Sequence, residues 1–131
     1  MFKPHHIALT VNNVEESSRW YHEKLGFQTL HHYKKQGMEI ILLRLKEVLI
    51  ELFSFEESTK PLPNYRQTLM EDLHTVGTKH LCIEVENLDK VVKDLKSKGV
   101  EFVMETDDAG FGGRYIFFKD CNGILVELYQ N

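Results

Sequence analysis

The chain has 131 residues, a formal net charge of −4 and a hydrophobic fraction of 42%. This length fits one compact domain, and this composition is typical of a globular protein rather than a disordered one. The acidic excess excludes bulk attraction to nucleic acid as the main activity. No apolar run approaches the roughly 18 residues of a membrane span, and the first residues lack the apolar core of a secretion signal. With only two cysteines, we expect a cytoplasmic protein.

The first half of the chain predicts a strand, a helix and three further strands. Residues 6–11 alternate between apolar and polar side chains, as in a half-buried strand. Asn13 suits the N-cap of a helix with an acidic first turn, and Gly26 suits its left-handed end. Strand-like runs then follow near 27–34, 38–44 and 47–54.

The second half repeats this order after a linker at about 55–77, which contains a predicted short helix from Tyr65 to Leu73. A strand is predicted at 79–85, followed by a helix that begins after Asn87 and ends at Gly99. The remaining predicted strands lie near 101–105, 113–119 and 123–129.

The two halves align with each other. Residues 6–11 lie over residues 80–85 at an offset of 74, and residues 50–53 lie over residues 126–129 at an offset of 76. Such self-similarity indicates two copies of one structural unit, here a βαβββ module. We predict a single domain that consists of module 1 (about 4–54), the linker (55–77) and module 2 (about 78–130).

The repeat selects four side chains. It places His6 over His80 at the start of each first strand, and Glu51 over Glu127 late in each last strand. Carboxylates between aliphatic neighbours in a sheet are costly unless something satisfies them, and a metal ion does so. Two imidazoles and two carboxylates suit Ni²⁺, Zn²⁺, Co²⁺ or Mn²⁺. We therefore predict that these four residues bind one divalent metal. His5 is the alternative first ligand, but strand alternation directs it to the opposite side.

Four further histidines and Cys82 are not predicted to bind the metal. Cys82 aligns with Ala8, so we expect a small, buried residue on the cleft side of its strand. Four histidines have no partner in the other half and are expected in surface or loop positions: His22, His31, His32 and His74.

The chain resembles the vicinal oxygen chelate superfamily, which includes glyoxalase I, methylmalonyl-CoA epimerase, extradiol dioxygenases, fosfomycin resistance enzymes and bleomycin-binding proteins. The resemblance covers essentially the whole chain. It implies an α+β fold in which two βαβββ modules form an open, mixed-sheet barrel around one divalent metal. The runs that carry it are His6-Ile-Ala-Leu-Thr-Val, Glu51-Leu-Phe, Gly77-Thr-Lys-His80 and Asp120-Cys-Asn-Gly123-Ile-Leu-Val-Glu127-Leu.

The ligand set discriminates among the branches of this superfamily. The bleomycin-binding branch resembles a binding module without metal ligands, so the filled positions of this chain argue against it. In extradiol dioxygenases and fosfomycin enzymes, the second of the four ligand positions along the chain typically holds no metal ligand, whereas this chain has Glu51 at that position. A His/Glu/His/Glu set is most similar to bacterial glyoxalase I, with the epimerases next.

Three positions depart from the glyoxalase I pattern. Where that enzyme carries an arginine, an asparagine and a lysine that anchor glutathione, this chain has Thr10, Phe55 and Phe111. The replacements are neutral or apolar, which speaks against glutathione as the substrate carrier and leaves the metal chemistry unaffected. These three residues and Arg114 are the predicted substrate contacts, with Arg114 a candidate for an anionic group.

The resemblance implies proton transfer next to a carbonyl, through an enediolate that the metal stabilises. Glu127 is the expected proton carrier, and Glu51 the second ligand or second base. A hemithioacetal substrate would give lyase-type isomerisation, and an acyl-CoA would give epimerisation. A dioxygenase and a non-catalytic binding protein remain alternatives. The expected partners are a small-molecule substrate and a second copy of the chain, because open sheet edges benefit from cover; the ligands can come from one subunit or from two.

Overall fold

The protein is described here from a computed structural model, which describes residues 1–57 and 59–131. The chain divides into two compact units, Met1–Pro61 and Leu62–Asn131. The division falls inside the segment predicted as a linker, and the linker helix belongs to the second unit. Each unit contains its own sheet and its own long helix.

The first unit has the predicted order of one strand, one helix and three strands. The elements are β1 (Ile7–Thr10), α1 (Val14–Leu25), β2 (Gln28–Lys35), β3 (Met38–Leu45) and β4 (Val48–Phe55). The sheet has the strand order β1-β4-β3-β2, in which β1 runs parallel to β4 and the other neighbours are antiparallel.

Helix α1 begins and ends where the sequence predicts. The Asn13 side chain accepts a hydrogen bond from the backbone N–H of Glu16 at 2.9 Å, which satisfies a free donor of the first turn. Gly26 adopts the left-handed conformation with φ of 84° and ends the helix. Tyr21 on this helix is fully buried and packs edge to face against the buried Phe27, with 5.6 Å between the ring centroids. The helix is therefore fixed by its caps and by an aromatic core contact.

The second unit repeats the order with additions. The elements are a 3-10 turn (Asn64–Arg66), α2 (Leu69–His74), β5 (Leu81–Glu84), α3 (Leu88–Ser97), β6 (Glu101–Phe102), β7 (Asp107–Asp108), β8 (Arg114–Lys119) and β9 (Leu125–Gln130). The sheet has the strand order β5-β9-β8-β6, and the short strand β7 also pairs with β8. Strand β5 runs parallel to β9, as β1 does to β4.

The strand predicted near 101–105 is wrong in its extent. Only Glu101 and Phe102 pair with β8, and pairing resumes at Asp107 and Asp108. Four residues, 103–106, lie between these pairs, whereas only residues 116 and 117 lie between their partners on β8. The surplus residues bend the chain away from the ladder, as in a large β-bulge. The sequence pattern does not reveal this bend because it records alternation and not pairing.

Neither sheet closes into a barrel. Within the described residues, the first sheet ends at β1 and β2, and the second ends at β5 and β6. The α+β class and the βαβββ-like order of elements are thus confirmed, and the strands form two separate mixed sheets that are not closed into a barrel. No helix in the described part of the chain is long and apolar enough to cross a membrane.

Candidate metal and proton-transfer site

The first unit brings together its two predicted donors. Glu51 in β4 pairs with Ala8 in β1, and His6 lies two residues before Ala8, just ahead of the start of β1 at Ile7. The Nε2 atom of His6 lies 3.5 Å from Oε1 of Glu51, and the two side chains are 35% and 21% exposed. The buried neighbours Ile50 and Leu52 fill the opposite face of β4. The alternation of β4 thus places the carboxylate outside the core and beside an imidazole.

The second unit repeats this arrangement. Glu127 in β9 pairs with Cys82 in β5, and His80 precedes Cys82 by two residues. The Nε2 atom of His80 lies 3.0 Å from Oε2 of Glu127, and the two side chains are 16% and 20% exposed. On the other side of β9, Glu127 pairs with Phe117, whose ring packs perpendicular to the His80 ring at a centroid distance of 4.6 Å. This pair is therefore more enclosed than the pair in the first unit.

Both pairs fit a metal ion by their chemistry and by their spacing. Ligands about 2.1 Å from one cation at tetrahedral or octahedral angles lie roughly 3.0–3.5 Å from each other. The imidazole-to-carboxylate separations of 3.5 Å in the first unit and 3.0 Å in the second fall in this range. In each pair the histidine turns Nε2 toward the carboxylate. Each unit therefore contains one imidazole–carboxylate pair, His6 with Glu51 and His80 with Glu127.

Cys82 differs from its sequence-based interpretation. The residue is exposed, because β5 is an edge strand with a neighbouring strand on one side only, although its thiol is partly enclosed beside Glu127. The pKa of Cys82 is raised to about 12. The main cause is partial burial of the thiol, and the second is the negative charge of Glu127. The thiol next to Glu127 therefore stays protonated at neutral pH, where it is a poor nucleophile.

We predict that Cys82 resists alkylation in the folded, metal-free protein. In a C121S variant at pH 8, iodoacetamide should modify folded Cys82 on the order of 100- to 1,000-fold more slowly than the unfolded chain, as measured by mass spectrometry. The raised pKa of about 12 also means that the folded state is favoured below the ordinary pKa of a thiol, and this contribution to stability is lost as the pH rises toward 12.

Glu127→Gln should accelerate the alkylation of Cys82, because it removes a negative charge next to the thiol. Equal rates in the folded and unfolded protein would contradict this assignment.

The predicted substrate contacts occupy strand ends and one loop. Thr10 ends β1 and is exposed, and Phe55 ends β4, where its backbone N–H donates to Oγ1 of Thr59 at 2.9 Å. Phe111 is 84% exposed, with its ring centroid 5.3 Å from that of Tyr129. Phe111 is thus available to an incoming molecule.

Arg114 is already engaged by a carboxylate. Its two terminal guanidinium nitrogens each lie 3.3 Å from an oxygen of Asp89, in the first turn of α3. A substrate anion at Arg114 would have to displace this two-point contact. The sequence offered no signal for the pair, since the two residues are 25 positions apart and meet only after α3 packs on its sheet.

A second His/Glu cluster was not foreseen. One ligand atom each from Glu15, His32 and Glu39 lies within 4.8 Å of the others, and this group could hold a metal ion of unknown identity. His32 Nε2 lies 2.7 Å from Oε1 of Glu39, across the β2–β3 hairpin. The residues Gln36-Gly37 between two strand-like runs were the available signal, because a hairpin turn there makes residues 32 and 39 diagonal neighbours on one face.

The chain belongs to the glyoxalase/bleomycin resistance protein/dioxygenase superfamily, whose family model matches residues 3–128. The uncharacterized protein YwkD of Bacillus subtilis is 37% identical over 129 residues, which cover 96% of this chain and 94% of YwkD. The mitochondrial methylmalonyl-CoA epimerase of mouse is 31% identical over 130 residues, which cover 95% of this chain and 71% of the epimerase.

A solved structure agrees with the fold. The crystal structure of a glyoxalase family protein from Enterococcus faecalis superposes with a TM-score of 0.80 at 26% sequence identity. The match covers 97% of this chain and 96% of that protein. The superfamily expected from the sequence motifs is thereby confirmed.

Proposed function

We propose that the protein is a divalent-metal-dependent isomerase or lyase that moves a proton at the carbon next to a carbonyl group. The observation that carries this proposal is the duplicated pair of imidazole and carboxylate, His6 with Glu51 and His80 with Glu127. In the proposal the four side chains bind one cation, with Ni²⁺ or Zn²⁺ preferred and Co²⁺, Mn²⁺ or Fe²⁺ as further candidates. When bound, the cation would polarise the substrate carbonyl and stabilise the negative charge that develops on its oxygen.

The two glutamates do the proton chemistry. The Glu127 carboxylate removes the proton from the carbon, and the electron pair left behind moves toward the carbonyl oxygen. Strand β9 places that carboxylate 3.0 Å from Nε2 of His80, so the position of the base is set before substrate arrives. Glu51, which has taken up a proton from solvent, returns a proton to the substrate. Return to the opposite face of the same carbon inverts that carbon, and return to the neighbouring carbon gives an isomer.

Epimerisation of an acyl thioester is the favoured reaction. Two carboxylates provide one base to remove the proton and a second group to return it, as an epimerisation requires. The identity of 31% with mouse methylmalonyl-CoA epimerase supports this choice. Thr10, Phe55 and Phe111 supply no positive charge for a glutathione carrier. Glyoxalase I-like isomerisation of another thiol adduct is the second candidate, favoured by the His/Glu/His/Glu ligand set.

Deuterium exchange tests the proposal. Metal-loaded protein is incubated in D₂O with methylmalonyl-CoA and, separately, with hemithioacetals of methylglyoxal and several thiols. A two-base epimerase should place deuterium in the product while unreacted substrate keeps its hydrogen, as read by mass spectrometry. The EDTA-treated protein is the control. No exchange with either substrate class under Ni²⁺, Zn²⁺, Co²⁺ or Mn²⁺ would overturn the proposal, and oxygen uptake with catechols would instead indicate a dioxygenase.

The substrate is expected to be a small molecule, as the family suggests. A homodimer is also proposed, because edge strands such as β1 and β5 present unpaired backbone groups that a second copy can cover. Light scattering after size-exclusion chromatography measures this directly.

A further inference from the structure

His6 is held by the histidine that precedes it. The Nδ1 atoms of His5 and His6 are hydrogen-bonded at 2.8 Å, and the two rings stand at 82° with centroids 5.1 Å apart. The expectation that His5 points to the opposite side of the strand is therefore wrong. Both residues precede β1, which begins at Ile7, so the alternation of a paired strand does not govern their side chains.

The second unit orients its histidine by a different means. Nδ1 of His80 is buried and has no hydrogen-bond partner within residues 1–57 and 59–131. Its ring is held instead by the perpendicular Phe117 ring. In the first unit the partner of Glu51 on β3 is Leu42, so no aromatic ring occupies the matching place. His6 is also the more exposed of the two histidines. Packing alone therefore fixes His6 less well than it fixes His80.

Lys79, the residue of the second unit that aligns with His5, makes a different contact. Lys79 precedes His80 as His5 precedes His6, but its ammonium group lies 3.5 Å from Oδ1 of the buried Asp72. It therefore points toward α2 and not toward the imidazole of His80. The hydrogen bond to the preceding residue is thus specific to the first unit, where the aromatic support is missing.

We propose that His5 is a positioning residue: its Nδ1 accepts the Nδ1–H of His6 and so leaves Nε2 of His6 unprotonated and directed at Glu51, ready to bind a divalent cation. This inference rests on the proposed function, in which His6 is a metal ligand. A neutral imidazole binds a cation through its unprotonated nitrogen, so the other nitrogen must carry the proton.

The negative charge of Glu51 is the reason that His6 needs a hydrogen-bond acceptor at Nδ1. The Glu51 carboxylate near Nε2 of His6 favours a proton on Nε2, which is the form that cannot bind metal. An acceptor at Nδ1 favours the opposite tautomer. Histidines that bind metals generally donate their second N–H to such an acceptor, and its loss typically lowers the affinity for metal 10- to 100-fold. His5 occupies the acceptor's place.

Zn²⁺ titration of four variants by calorimetry tests the proposal. His5→Ala removes the acceptor, and His5→Phe removes it while keeping a ring of similar size. Both should bind Zn²⁺ about 10- to 100-fold more weakly than the wild type. His5→Asn, whose amide oxygen can accept, should recover part of the affinity. His31→Ala, at an exposed position on β2, should bind as the wild type does. Full affinity in His5→Phe would overturn the proposal.

Nitrogen-15 NMR of the histidine rings gives a readout that does not depend on activity. At pH 8, the Zn²⁺-loaded wild type should show His6 with a protonated, hydrogen-bonded Nδ1, and His5→Phe should lose the hydrogen-bond shift of that signal. An unchanged His6 signal would overturn the role of His5. A wild type that binds none of the divalent cations would overturn the proposed function instead, while the metal-free spectra would still report whether the bond between His5 and His6 exists.

Discussion

Replacement of Glu127 by Gln is expected to abolish turnover while leaving the fold intact. The amide keeps the size of the carboxylate and can still contact Nε2 of His80, which lies 3.0 Å from Oε2 in the wild type. It cannot take a proton from carbon, and loss of a positioned base typically costs about 10²- to 10⁴-fold in rate. Turnover or deuterium exchange under the metal-loaded conditions given above measures the loss.

Glu84→Gln is the matched control for this variant. Glu84 lies in β5 of the same unit, is exposed, and pairs with Tyr129 rather than with the predicted ligands. The control should retain nearly full activity, and both variants should give circular dichroism spectra like that of the wild type. Full activity in Glu127→Gln would show that another group carries the proton.

Replacement of His80 by Ala is expected to remove the stabilisation that a divalent cation gives to the folded protein. A ligand at 100 times its dissociation constant stabilises the native state by about 2.7 kcal/mol. For a chain of this length that raises Tm by on the order of 10 °C. The measurement is the difference in Tm with and without Ni²⁺ or Zn²⁺ for each variant. A loss of stability from weaker packing against Phe117 lowers both Tm values of the His80→Ala variant and does not enter this difference.

His32→Ala separates the two candidate metal sites. It breaks the Glu15, His32 and Glu39 cluster and leaves the predicted ligands unchanged. We expect this variant to keep the full shift in Tm, whereas His80→Ala loses it. The reverse result would assign the metal to the cluster between α1 and the β2–β3 hairpin and would contradict the proposed site. A shift that survives in both variants would contradict it as well.

The elements that the sequence predicted correctly are those fixed by local interactions. Asn13 caps α1 through a bond to Glu16, three residues away, and Asn87 caps α3 through a bond to Lys90 in the same way. Gly26 is left-handed in the folded chain, as a helix end requires. These contacts span at most a few residues, so their residue types are sufficient evidence for them.

The repeat extended the prediction to part of the site. Because both halves share one strand plan, the match of His6 with His80 and of Glu51 with Glu127 selected the same two residue types in each half. The structure then places each histidine beside the glutamate of its own unit. The parallel pairing of the first and last strand in each unit then brings each pair together. Whether the two pairs bind one cation stays a prediction.

The sequence did not reveal the contacts that depend on packing or on where a strand begins and ends. The ion pair of Arg114 with Asp89 depends on how α3 lies on its sheet. The hydrogen bond between His5 and His6 depends on where hydrogen bonding of β1 begins, which no alternation pattern specifies to one residue. The bend at residues 103–106 arises from unequal lengths of two paired segments.

The sequence by itself determined the duplicated βαβββ plan, the helix ends and the four candidate donors. Periodicity, capping and repetition depend only on which residue types occur at which spacing along the chain. Only the tertiary structure decided which groups contact them: Phe117 against His80, His5 against His6, and Asp89 against Arg114. These contacts depend on strand register and packing, in which a shift of one residue exchanges the two faces of a strand.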